Sequence, residues 1–120
     1  MFGAWARAKH WFGGGTQPPT ITVSSGTTAV TIPETAGAVL FSGAATALAT
    51  LNTGTATRGS RLLYLYSKTG DVVLTNSGAG ATVGQMDLGS GDVTLEATDM
   101  IILYLRSDGV WVRATPVANN

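Results

Sequence analysis

The sequence predicts an all-β fold, an antiparallel β-sandwich or jelly-roll-like domain with a short extended or helical N-terminal anchor. Three observations lead there. Short apolar runs with two-residue alternation recur along the chain, separated by turns rich in Gly, Asp, Thr and Ser, and the 120 residues include sixteen glycines. A Ser107-Asp108-Gly109 connector joins the apolar runs Met100 to Leu105 and Val110 to Val112, a strong hairpin signal because glycine accepts the positive φ of tight hairpin turns. The first of those runs is apolar on both faces, with Ile101, Leu103 and Leu105 on one and Met100, Ile102 and Tyr104 on the other. A strand in a simple antiparallel sheet keeps one wet face, so this one needs a second cover.

Residues 1–19 read as an N-terminal anchor and Gly/Pro linker, and residues 20–120 as one β-sandwich domain. Met1 to Phe12, MFGAWARAKHWF, holds two of the three Trp and two of the three Phe, with Arg7, Lys9 and His10 between them. Alanines at 4, 6 and 8 permit a short helix, which by itself is marginal in water. The aromatic and cationic residues Phe2, Trp5, Arg7, Lys9, Trp11 and Phe12 have the composition of an interface anchor. A docking peptide, an undocked tail and a membrane-surface helix all suit this stretch; three cationic groups are few for adhesion to anionic lipid. GGGTQPP, residues 13–19, follows as a flexible run with a stiff Pro-Pro end.

From Thr20 the β texture begins. Ile21 and Val23 alternate with Thr20, Thr22 and Ser24; Ser25-Gly26 turns the chain into Thr28 to Ile32; Pro33-Glu34 breaks that strand. Ala38 to Phe41 is a short strand, and Leu48 and Leu51 lie in an Ala/Thr-rich stretch that reads equally as thin strand or loop. Arg61 to Ser67 puts Leu63 and Leu65 on one face and Leu62, Tyr64 and Tyr66 on the other. Asp71 to Thr75, Thr82 to Leu88 and Asp92 to Glu96 complete the series. A faint echo links GDVVL (70–74) to GDVTL (91–95), and LYL (63–65) to LYL (103–105). It is too irregular for a solenoid and fits two similar hairpins of a sandwich with eight to ten strands.

The totals exclude several functions. Formal net charge is zero, from seven basic and seven acidic side chains, so there is no electrostatic footprint for nucleic acid. No cysteine is present, which removes disulfides, thiolate metal sites and Cys nucleophiles. No apolar run reaches the ~18 residues of a membrane span, and the N-terminus lacks the apolar core of a signal peptide. Only 12% of residues are charged, a neutral surface that favours association over life as a free monomer.

Candidate chemistry is sparse. The single histidine, His10, supports no Ser-His-Asp arrangement. Asp71, Asp87, Asp92, Asp99 and Asp108 sit mostly at turns, where Asp caps backbone N–H groups. A paired-carboxylate site and a calcium loop at Asp87 and Asp92 are the functional alternatives, without a recognised ligand spacing. Gly78-x-Gly80-x-x-x-Gly84 misses the dinucleotide fingerprint and reads as a turn. No catalytic residue, metal or cofactor is expected. Leu62, Tyr64, Tyr66, Met100, Ile102, Tyr104 and Trp111 are expected to face out of the sheet and pack against other subunits.

The order RLLYL (61–65), GDVVLTNSG (70–78), GQMDL (84–88), DVTL (92–95), DMIIL (99–103) and DGVWV (108–112) resembles small trimeric β-domains of tailed-phage structural proteins. Such domains occur in capsid cement (decoration) proteins, head fibres and tail-fibre modules. The resemblance implies a non-enzymatic virion protein on the outer surface of the capsid. It also implies a homotrimer with Asp99 to Trp111 near the threefold axis, partnered by the major capsid protein through the N-terminal anchor, and no nucleic acid or membrane partner. The short N-terminus, in place of a long shaft, points to a compact unit on a shell. A receptor- or glycan-binding knob of a head or tail fibre is the second implied role.

Overall fold

The computed structural model describes residues 18–53 and 61–114. Eleven strands run through them: β1 (Thr20–Val23), β2 (Ala29–Thr31), β3 (Ala38–Gly43), β4 (Ala45–Leu48), β5 (Thr50–Asn52), β6 (Arg61–Ser67), β7 (Val72–Leu74), β8 (Met86–Asp87), β9 (Val93–Leu95), β10 (Met100–Leu105) and β11 (Trp111–Arg113). One 3-10 turn, Gly78–Gly80, precedes β8. The strands form a six-stranded sheet in the order β1-β3-β6-β10-β11-β8, a pair β2-β5, and a three-stranded sheet β4-β7-β9. The N-terminal anchor, residues 1–12, and most of the linker lie outside the described residues.

The fold is all-β, but it is not the expected antiparallel sandwich. Five neighbouring pairs, β1–β3, β3–β6, β2–β5, β4–β7 and β8–β11, run parallel. Only β6–β10, β10–β11 and β7–β9 are antiparallel. The chain winds as a short β-solenoid in which each circuit lays a new strand beside the one from the circuit before. Thr20 pairs with Leu40 and Ala29 with Thr50, an advance of 20 and 21 residues. Ala38 then pairs with Tyr64 and Leu48 with Leu74, an advance of 26 residues for each. Unequal circuits explain why no fixed repeat shows in the sequence. Parallel neighbours need a crossover of a dozen or more residues, and short strands on the other faces supply it here instead of a helix.

The last third reverses direction and closes the coil. β9 runs back along β7 with Val72 opposite Leu95 and Leu74 opposite Val93, and β10 runs back along β6 with Leu63 opposite Leu103. The sequence echo thus marks strands that pair with each other, not two separate hairpins. The β10–β11 connection is the expected hairpin: Gly109 donates to the Arg106 carbonyl at 3.0 Å and has φ of 85°. That is a turn followed by a left-handed residue, which only glycine adopts cheaply.

One core fills the coil. Val39 and Phe41 of β3, Leu63 and Leu65 of β6, and Ile101, Leu103 and Leu105 of β10 meet Leu48, Leu51, Val72, Leu74 and Leu95 from the other faces. Leu48 and Leu51, ambiguous in sequence, are fully buried in β4 and β5. Alternation therefore separates the two faces of β6 and β10 as the sequence indicates.

Two non-apolar features hold the circuits in register. Gly43 turns the corner from β3 to β4 with φ of 100°, and a Cβ there would stand 2.2 Å from the Val23 carbonyl oxygen of the preceding circuit. Gly70 lies beside this corner, its Cβ position 2.8 Å from the Gly43 oxygen. Arg61 is the second feature, only 7% exposed. Its Nη1 donates to Thr53 Oγ1 at 2.6 Å, and its Nη2 donates to the carbonyls of Pro33 and Ala36 at 2.6 and 2.7 Å. The guanidinium lies 5.8 Å from the centre of the Trp111 ring. Burial pulls its pKa down, and the charge of Glu34 opposes that.

Gly43→Ala should destabilise the fold by at least about 2 kcal/mol, since it adds both a strained φ and a backbone clash. Arg61→Met should cost about 2–4 kcal/mol by leaving two carbonyls without their charged donor. Urea denaturation checks both; a change within about 0.5 kcal/mol, the scale of an ordinary surface substitution, would show that the corner or the fork is dispensable.

Candidate functional site

The six-stranded sheet carries a second apolar cluster on the face turned away from the core. Ala38 and Leu40 come from β3, Tyr64 and Tyr66 from β6, and Met100 from β10, with Ile102 packed against them. The register arranges them in rows across the sheet. Leu40, Tyr66 and Met100 form one row, Ala38, Tyr64 and Ile102 the next, and Leu62 faces Tyr104 beyond them. A β-strand sends alternate side chains to opposite faces, so the apolar character of both sets in β6 and β10 makes this cluster inevitable.

Exposure falls along the face. Leu62 is 49% exposed at one end, Tyr104 and Ile102 are half-buried, and Tyr66 is 3% exposed at the other end. Burial raises the Tyr66 phenol above its ordinary pKa. Six of the seven residues expected at a subunit interface therefore share this face: Leu62, Tyr64, Tyr66, Met100, Ile102 and Tyr104. Trp111 does not. It is fully buried in the main core and its indole N–H donates to the Leu51 carbonyl at 3.1 Å. The reason lies in the hairpin register, which sets Trp111 opposite the core residue Leu105 and Val112 opposite Tyr104. Directly opposed residues share a face, so the pairing across the Asp-Gly turn was the available signal.

Beyond Tyr104 the β10–β11 turn holds a shallow depression of about 310 Å³ lined by Tyr104, Arg106, Ser107 and Asp108. Arg106 and Asp108 form a two-pronged ion pair, Nε to Oδ1 at 3.1 Å and Nη2 to Oδ2 at 2.6 Å. The Val110 N–H donates to Asp108 Oδ1 at 3.1 Å. The hydrogen bond from Arg106, then that from Val110, holds the Asp108 carboxyl below the usual range, and the same pair raises Arg106. The pair is solvent-exposed, so it fixes turn geometry more than it stabilises the fold. The sequence marks Asp108 as a turn residue; its partner Arg106 lies two residues earlier in the same turn.

Three further aspartates cap turns. Asp92 Oδ1 accepts from the Asn76 N–H at 2.8 Å, and Asp87 Oδ1 from the Gly89 N–H at 3.3 Å. Asp99, 6% exposed, accepts from the Glu96 N–H at 3.0 Å. Its neighbour Thr98 has φ of 75°, a strained value for a β-branched residue, in a turn tied to β6 by Thr98 N–H to Ser67 oxygen at 2.7 Å. Gly78–Gly80 is a 3-10 turn and opens no α-helix. Among the described residues no three His, Cys, Asp or Glu side chains gather as a metal site, and no helix is long and apolar enough to cross a membrane. His10 and the anchor residues Phe2, Trp5, Arg7, Lys9, Trp11 and Phe12 lie outside the described residues.

No protein-family model, curated protein or solved structure matches the chain.

The raised Tyr66 pKa carries a pH consequence. Folding favours the neutral phenol, so its contribution is complete below the unfolded value near 10 and is lost as pH rises through the higher folded value. Ultraviolet titration of the folded protein should show one tyrosine ionising later than free phenol. Tyr66→Phe should remove that step and weaken the alkaline loss of stability; an unchanged late step would place it on another tyrosine.

Proposed function

We propose that the protein is a non-enzymatic virion structural protein, a capsid cement or decoration trimer of a tailed phage that binds the outer capsid surface and reinforces contacts between capsomers. The observation that carries this reading is the apolar row on the outside of the six-stranded sheet, which runs out of cover at Leu62. The sequence resemblance supplies the particle; the sheet supplies a surface suited to self-association. Leu62, Ile102 and Tyr104 form the accessible end, and burying large apolar side chains is worth roughly 1.5–3 kcal/mol each. Arg61 and the close approach at Gly43 tie the circuits of the body to one another, which suits a clamp that must hold two neighbours at fixed separation.

The major capsid protein is the proposed partner, gripped by Phe2, Trp5, Arg7, Lys9, Trp11 and Phe12. Three anchors on one rigid trimer raise effective concentration, so no single contact needs to be tight. A ligand that prefers the assembled shell stabilises it by its differential affinity for that state.

A receptor- or glycan-binding knob is the second reading, and the Tyr104–Arg106–Asp108 depression favours it. A tyrosine ring beside a fixed guanidinium and carboxylate offers stacking and hydrogen bonding to a sugar.

Particles heated with the protein should release their genome at a higher temperature than bare particles, and the protein should come off them as a trimer. Trp5→Ala/Trp11→Ala should lose both occupancy and protection, since truncating a hot-spot Trp costs about 2 kcal/mol or more. Unchanged shell stability, with loss of host-cell binding in the absence of the protein, would hand the case to the knob. A stable monomer at micromolar concentration in sedimentation equilibrium would remove the trimer from either reading.

A further inference from the structure

The hairpin between β10 and β11 makes two demands of its tip. Gly109 sits at φ of 85°, which glycine alone adopts cheaply, and its N–H donates to the Arg106 carbonyl at 3.0 Å. Asp108 precedes it, and its Oδ1 accepts from the Val110 N–H at 3.1 Å. Together those demands write an Asp-Gly pair into the turn, the only Asp-Gly or Asn-Gly pair in the sequence. Such a pair is chemically labile. The nitrogen of a glycine, with no side chain to crowd it, is able to attack the preceding aspartyl carboxyl and close a succinimide ring. Elsewhere among the described residues Val72, Leu88, Val93 and Met100 follow the aspartates, and Thr53 and Ser77 follow the asparagines. Asp108 is also open to water, its side chain 55% exposed.

We propose that Asp108 is a site of aspartate isomerisation and that Arg106 holds its carboxylate back from that reaction. In the first step the Gly109 nitrogen bonds to Cγ of Asp108, and its proton leaves with the carboxyl hydroxyl as water. Water then opens the ring. Entry at Cγ restores aspartate. Entry at the main-chain carbonyl carbon leaves the backbone running through Cγ, as isoaspartate of unchanged mass. No oxidant, metal or second substrate is consumed, and the site does not depend on the virion reading.

Three features of the turn oppose ring closure. The leaving oxygen must carry a proton, and the Arg106 guanidinium, through its hydrogen bonds, favours the ionised carboxylate. Both carboxylate oxygens are also tied down, Oδ1 by Arg106 Nε at 3.1 Å and by the Val110 N–H, and Oδ2 by Arg106 Nη2 at 2.6 Å. Cγ therefore swings towards the Gly109 nitrogen only by breaking that fork. The nitrogen is itself engaged with the Arg106 carbonyl, which helps it keep its proton. An exposed ion pair contributes little to stability. Here its geometry acts on reactivity instead.

Isomerisation at this point reaches the core. Isoaspartate adds a methylene to the main chain between Arg106 and Val110, whose N–H to carbonyl bond at 3.0 Å closes the hairpin. That closure sets Trp111 opposite Leu105 and brings its indole N–H to the Leu51 carbonyl at 3.1 Å.

The full chain, kept folded and warm at neutral pH, tests the site. Isoaspartate is read by enzymatic methylation of its free α-carboxyl and placed by peptide mapping. It should accumulate slowly at residue 108 in the natural chain, severalfold faster in Arg106→Gln, and not in Asp108→Glu, where the ring would be larger. Isoaspartate forming at other aspartates in preference to Asp108 would overturn the site. An Arg106→Gln chain that isomerises no faster than the natural one would overturn the role of Arg106. Salt supplies a second measurement that needs no substitution, because it weakens an exposed pair. Raised salt should speed isomerisation of the natural chain and leave Arg106→Gln unchanged. Where Arg106→Gln fails to fold, the natural chain decides, and a rate indifferent to salt sinks the proposal. The isoaspartyl fraction should also unfold at lower urea than its parent; an equal midpoint would break the link from turn to core.

Discussion

At Gly43 the backbone of one circuit passes so close to the Val23 carbonyl of the previous one that no side chain fits between them. The solenoid depends on that approach. Parallel strands β1, β3 and β6 can hydrogen-bond only if each circuit returns to the same plane, and the corner after β3 is where the return is set. The Gly43 N–H is itself bonded to Thr69 Oγ1 at 2.9 Å, which carries the alignment on to the third circuit. From that stacking follow the continuous core and the long sheet whose outer face bears the second cluster.

Arg61 solves a different problem in the same coil. The segment from Pro33 to Ala36 and the one at Thr53 are loops whose carbonyls and hydroxyl point inward, away from any ladder. A single guanidinium satisfies two of those carbonyls and the Thr53 hydroxyl while lying against Trp111. Burying a charge is costly without hydrogen bonds, and the fork shape of arginine lets one side chain meet three acceptors that lysine would reach less well. β6 is thereby fastened to both flanking loops at its start, and its outer residues, Leu62, Tyr64 and Tyr66, are presented on a stiff strand.

The outer face links fold to role. One end is buried and the other exposed, from Tyr66 at 3% to Leu62 at 49%, along the outer residues of a single strand, β6. The open end runs directly into the Tyr104–Arg106–Asp108 depression, so Tyr104 belongs to both the apolar row and the polar turn.

Much of this was legible from the residues alone because it is local. A strand alternates its faces with period two, so the division of β6 into Leu63 and Leu65 against Leu62, Tyr64 and Tyr66 needs no knowledge of partners. The Asp-Gly hairpin is local in the same sense, as are the Asp caps at turns. Partner choice is not local. A strand with two apolar faces reads identically whether its neighbours run parallel or antiparallel, and circuits of unequal length erase the repeat that would announce a solenoid. The position of Trp111 in the core follows from register across the hairpin, and the burial of Arg61 from acceptors 25 and 28 residues away in the chain. The sequence alone therefore determined which residues share a face and where the turns fall. Tertiary structure decided which faces meet, because that choice rests on loop closure and on corners such as Gly43, whose fit depends on a carbonyl twenty residues earlier.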